Sequence, residues 1–98
     1  DIERIGAIKE ALHQAGLSVP LVLHGASGNS DDDIRKAIAA GVSVVHVNTE
    51  IRVAWQKALR EFLAVHPNEV VPYHLLAEAE AAATNVIRAK LRLFSAAL

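Results

Sequence analysis

No cysteine occurs in the 98 residues. That excludes a disulfide scaffold and any thiolate metal site, and it leaves the redox compartment open. No run approaches the roughly 18 apolar residues of a membrane span, and no basic segment followed by an apolar one opens the chain. Cytoplasm is therefore the default expectation. Charge of one sign is also missing. Ten Lys and Arg stand against eleven Asp and Glu, a net charge of −1, so no field draws in nucleic acid or an anionic membrane. The sequence opens on Asp1 rather than Met, directly in a helical pattern. That points to a processed product, a trimmed chain or the tail of a longer protein. What remains is an ordinary globular composition, 52% hydrophobic and 21% charged, sized for one small domain at most.

The first segment reads as a helix. Asp1 is a plausible N-cap, Ile5, Ile8 and Leu12 share a face, and Gly16 stops it. Pro20 leads into Leu21-Val22-Leu23-His24. This run is too short for a helix and does not alternate, so a strand buried on both faces is predicted. Gly25 to Asn29 form a loop. Ser30 is a good N-cap for a helix whose first turn holds Asp31, Asp32 and Asp33, where carboxylates suit the positive end of the dipole. Ile34, Ala37 and Ile38 form its buried stripe and Gly41 ends it. Ser43 to Val47 read as a second buried strand. His24 and His46 lie 22 residues apart, which fits a helical crossover between parallel strands.

Ile51 to Val65 make the clearest helix. Ile51, Ala54, Trp55, Ala58, Leu59, Phe62 and Leu63 form a wide apolar face, with Thr49 as the expected N-cap. His66-Pro67-Asn68 break it. Pro72 suits the first position of a last helix, whose apolar face is expected through Leu76, Ala79, Ala83, Val86, Ile87, Leu91 and Phe94. The predicted order is α-β-α-β-α-α with two strands. Two parallel strands cannot cover their own faces and edges, so the chain either associates or belongs to a larger α/β protein.

The two strand tips carry the chemistry. A glycine-serine loop between strand and helix offers amide donors and the Ser27 hydroxyl, a fit for phosphate. A plain βα turn, a common feature, is the alternative reading. The three aspartates disfavour an anion on the helix end itself, so the loop would supply the donors. His24 reads as a metal ligand, an acid–base group or a hydrogen-bonded structural histidine. One imidazole cannot make a zinc site, and no HxxxH pair or carboxylate at ligand spacing is nearby. His46 is the second candidate, because parallel neighbours bring strand tips about 5 Å apart. Asn48 and Thr49 either bind a substrate hydroxyl and a phosphate or cap the following helix. His13, His66 and His74 read as structural or exposed.

Leu-Val-Leu-His-Gly-Ala-Ser-Gly, then Asp-Ile-Arg-Lys-Ala-Ile-Ala-Ala-Gly-Val, then Val-Asn-Thr-Glu, in that order and spacing, resemble the class II (zinc-dependent) fructose-bisphosphate aldolase family. The Pro67-Asn68-Glu69 break and Lys90-Leu91-Arg92-Leu93-Phe94 are similar to that family's C-terminus. The resemblance implies the C-terminal part of a TIM (β/α)8 barrel, from the helix before strand seven to the last helix, and not a complete barrel. It implies zinc-dependent aldol cleavage of fructose 1,6-bisphosphate, with His24 as the third zinc ligand. Gly25 and Ser27 match the loop that binds dihydroxyacetone phosphate and a monovalent cation, with Ala26 where a second glycine is frequent. Val47, Asn48 and Thr49 match the second substrate loop, with Thr49 on the phosphate. His46 stands where many members have an asparagine that touches the substrate, which puts the sugar in question. The other two zinc histidines and the proton-moving carboxylate have no match here, so no catalytic residue is expected in this segment. A homo-oligomer is expected. Two rival readings stand beside this one: a tagatose-bisphosphate aldolase, and a non-catalytic phosphate-binding or assembly module.

Overall fold

The computed structural model describes residues 1–97. Its elements run α1 (Ile2–Gln14), β1 (Leu21–Leu23), a 3-10 turn (Ala26–Gly28), α2 (Asp31–Ala39), β2 (Val42–Val45), α3 (Thr49–Val65) and α4 (Pro72–Ala96). This is the expected order. The two strands pair in parallel. The chain falls into two compact units, Asp1–Val47 with the chain from Arg92 on, and Asn48–Leu91.

In the first unit the helix starts are made by the side chains that the sequence nominates. Asp1 accepts from the Arg4 amide at 3.1 Å, and Ser30 from the Asp33 amide at 3.1 Å. Each satisfies a backbone donor that has no partner inside its helix. Ser30 Oγ also donates to Asp33 Oδ2 at 2.8 Å. Further along α2, Lys36 pairs with Asp32 at 2.6 Å. At the end of α1 the Leu17 amide returns to the Leu12 carbonyl at 2.9 Å, so the chain reverses where the glycine stop was expected.

The core of this unit is small and lies beneath the loop after β1. Ile34 of α2, Ala26 of the 3-10 turn and Leu93 of α4 are buried together, with Leu23, Ile38, Val45 and Phe94 packed around them. Ile34 is 0% exposed. The loop that follows His24 therefore has an apolar floor rather than solvent under it.

In the second unit, Glu50 near the start of α3 pairs with Lys90 near the end of α4 at 2.9 Å. The Lys90 side chain is 14% exposed, so the pair is largely covered on that side. Ahead of α4, Glu69 Oε1 accepts from the amides of Val70 and Val71, both at 2.9 Å, and its Oε2 meets His74 Nδ1 at 3.0 Å. The Val71 amide bond, then the His74 bond, hold this carboxyl below its ordinary value of 4.5.

Several expectations need correction. The strands are not buried on both faces: Val22 is 43% and Val44 38% exposed. A two-stranded sheet leaves faces that nothing in this chain covers. β1 ends at Leu23, one residue before His24, and β2 begins at Val42 and ends at Val45 rather than running from Ser43 to Val47. Asn48, not Thr49, is the residue before α3, and its side chain makes no capping bond. The apolar stripes are narrower than their periodicity suggests. Ile8, Trp55, Leu63, Leu76, Ile87 and Leu91 are exposed, while Leu93 is buried. Periodicity names the apolar sides of a helix, and α4 has apolar residues on more than one side, so packing chose between them.

Candidate functional site

The register of the two strands builds the site. Leu21 pairs with Val42, but Val22 pairs with Val44 and Leu23 with Val45. Ser43 is thus an extra residue on β2, a bulge. Without it, the residue beyond Leu23 would face Val45. With it, His24 and His46 come into register, each one residue past its strand. Bulges commonly re-aim side chains beside functional sites. The His46 amide donates to the Leu23 carbonyl at 3.2 Å, which carries the ladder one bond beyond β2. The two imidazoles meet edge to face, centroids 4.7 Å apart and planes at 89°. Both residues are exposed, and among the described residues neither ring has a protein hydrogen bond.

Gly25 turns the chain immediately after His24. It sits at φ 69, ψ 33, the left-handed region that side-chain-bearing residues avoid. The turn's own bonds use the Gly28 amide to the Gly25 carbonyl at 3.5 Å and the Asn29 amide to the Ala26 carbonyl at 3.1 Å. The Asn29 side chain also donates to the Gly25 carbonyl at 3.4 Å. The amides of Gly25, Ala26 and Ser27 are left without an intramolecular acceptor among the described residues, and Ser27 is exposed. Ala26 is 1% exposed. Its methyl group plugs into the core, so this residue offers a ligand only its backbone.

The second predicted loop is divided between the two units. Val47 closes one and Asn48 opens the other. Thr49 begins α3, and the Asn48 carbonyl accepts the first helical bond from the Arg52 amide at 3.2 Å. Thr49, Arg52, Val53 and Gln56 line a shallow hollow of about 350 Å³.

The remaining histidines lie elsewhere. His66 packs on Phe62, and His74 contacts Tyr73 and Glu69. Another hollow, of about 680 Å³, is lined by Lys9, Gly41, Ser43 and Phe94 among others. It opens at the start of β2, the strand end away from the histidines, so it is not taken as the site.

Imidazole nitrogens suit zinc, and an exposed ring at a strand tip can reach a metal. The described residues contain no group of three or more His, Cys, Asp or Glu that could hold one. The donor chemistry of an exposed imidazole is compatible with zinc.

The model for fructose-bisphosphate aldolase class II matches residues 1–97. The D-tagatose-1,6-bisphosphate aldolase subunit GatY of Klebsiella oxytoca is 44% identical over 72 residues, which are 74% of this chain and 25% of that protein. The crystal structure of the YdjI aldolase from Escherichia coli K12 superposes with a TM-score of 0.78 at 34% identity, over 96% of this chain and 33% of that one. The chain thus spans between a quarter and a third of the length of these relatives, and its two parallel strands with their helices form part of a (β/α)8 barrel, not a complete one. On this fold and these likenesses, the chain belongs to the class II fructose-bisphosphate aldolase family.

Proposed function

We propose that residues 1–98 form a single C-terminal segment of a zinc-dependent ketose-bisphosphate aldolase. In the full-length protein it would take part in reversible cleavage of a ketose 1,6-bisphosphate to dihydroxyacetone phosphate and glyceraldehyde 3-phosphate. The observation that carries this reading is the pairing of His24 with a turn whose amides face no acceptor of their own, at the C-terminal end of a parallel strand. That end is where barrels of this kind place their chemistry and, in the last two βα loops, their phosphate sites.

The residues divide the work. His24 is proposed as a zinc ligand. Zinc, when bound, supplies Lewis-acid polarisation of the substrate carbonyl. The amides of Gly25, Ala26 and Ser27 and the Ser27 hydroxyl are proposed to hold the phosphate of the three-carbon product. They hold it by aimed donors rather than by net charge, which suits a loop flanked by Asp31, Asp32 and Asp33. A monovalent cation near this loop belongs to the same reading. Val47, Asn48 and Thr49 are proposed as a second substrate loop, with the Asn48 side chain making no capping bond. The remaining ligands and the carboxylate that moves the proton would come from elsewhere in a full-length barrel. A cytoplasmic homo-oligomer completes the picture. Among the described residues, no helix is long and apolar enough to cross a membrane.

Two epimeric sugars are the candidate substrates. The family name favours fructose 1,6-bisphosphate, and the 44% identical relative favours tagatose 1,6-bisphosphate. The test is cleavage of each bisphosphate by the full-length protein with and without zinc, beside the His24→Ala variant. We expect zinc-dependent cleavage that the substitution abolishes, and no cleavage by the isolated 98-residue chain. Near-normal turnover with zinc retained in His24→Ala refutes the role of His24. Cleavage of neither sugar by the intact protein supports the non-catalytic module instead.

A further inference from the structure

His46 is the one residue at the strand tips whose contribution the proposed function leaves open. Its placement is specific. The extra residue Ser43 advances the register of β2 by one, and that advance alone brings His46 level with His24. The backbone bond from the His46 amide to Leu23 O, 3.2 Å, then ties it to the residue preceding His24. The two rings stand at 89° with centroids 4.7 Å apart, the edge-to-face arrangement that aromatic quadrupoles prefer.

A metal-binding histidine ordinarily has its second nitrogen held by a carboxylate, carbonyl or water, which fixes the ring's orientation. Among the described residues no protein group does this for His24. The ring contact that the structure shows at His24 is the edge-to-face one with His46. We propose that His46 is a positioning residue for His24: its ring, carried on a backbone tied into the strand ladder, fixes by its edge-to-face contact the orientation in which His24 presents a nitrogen to the metal. This rests on the reading of His24 as a metal ligand. It does not need a nitrogen of His46 to touch metal or substrate; it needs a flat ring at that place. A flexible or small side chain at position 46 would leave the His24 ring free to rotate about its χ angles, and the metal would then have to bear the entropy of ordering it.

The probe is zinc alone, titrated calorimetrically into the metal-free full-length protein, with the visible spectrum of the cobalt-substituted protein as a second readout of ligand geometry. The variants are His46→Ala, His46→Phe and His24→Ala. His46→Ala is expected to weaken zinc binding about three- to tenfold, the worth of one ring pair, and to alter the cobalt bands. His46→Phe keeps the ring without its nitrogens and is expected to restore affinity to within about twofold of the parent. If His46→Ala binds zinc as the parent does, the proposal is overturned. If His46→Phe is as weak as His46→Ala, the nitrogens of His46 matter, which makes it a ligand or a hydrogen-bonding group and again overturns the proposal. If His24→Ala binds zinc undiminished, the underlying reading of His24 fails instead. Position 46 is exposed, so neither substitution there disturbs the core.

Discussion

Ile34→Ala should damage the loop after β1 as well as the helix that carries the substitution. Ile34 is 0% exposed and is buried with Ala26 and Leu93. Truncation removes three side-chain carbons, worth roughly 2.4 kcal/mol at about 0.8 kcal/mol each. The void adds on the order of 1–2 kcal/mol if the surroundings stay in place. Collapse is limited, because Ala26 is too small to fill the space and belongs to a turn pinned by the Asn29 amide bond to its carbonyl at 3.1 Å. The expected loss is therefore about 3–4 kcal/mol, against about 1 kcal/mol for Ile34→Val. Urea unfolding of the parent and both variants measures the difference through the shift in midpoint at constant slope. Hydrogen exchange at the Asn29 amide reports the local consequence, since the Ala26 methyl group loses its floor and the turn opens more often. An alanine variant no less stable than the valine variant, or unchanged protection at Asn29, would refute the argument that the core beneath the loop holds it in shape.

Two further outcomes follow from local geometry. Gly25→Ala has open space for the added carbon, so its cost is the left-handed backbone at φ 69, about 1–2 kcal/mol; a thermal or urea midpoint should fall by that amount, and no change would mean that the turn relaxes freely. Glu69 is a carboxylate whose folded value is depressed, first by the Val71 amide and then by His74. The stability it contributes is fully present above its ordinary value of 4.5 and is lost as pH falls through the lower folded value. Stability measured across the acid range should therefore decline more steeply in the parent than in Glu69→Gln; identical acid limbs would show that the bonds to Val70, Val71 and His74 do not hold the start of α4.

Much of the architecture was legible because it rests on local signals. Ser30 and Asp1 act as caps through their own side chains, and Gly16 and Pro72 mark helix ends by their backbone limits. The parallel pairing follows from a helix-length crossover between two short apolar runs. The position of His24 at a strand tip was legible for the same reason. Strand edges were less so. A run such as Val42-Ser43-Val44-Val45-His46-Val47 does not say where its ladder begins, and it carries no mark that Ser43 is the residue left out of pairing. Helix faces were also ambiguous. Leu91 and Leu93 are equally apolar, and only the packing around Ile34 and Ala26 selects Leu93.

The order of elements, the helix caps, the glycine turn after β1 and the presence of a histidine at each strand tip are properties of residue type and spacing, and the sequence by itself determined them. The register was decided by tertiary structure alone. Strand pairing is a relation between segments far apart in the chain, so a single extra residue in β2 shifts every partner by one without altering either segment's own preferences. That shift sets His46 beside His24 and makes a pair of rings out of two separate candidates.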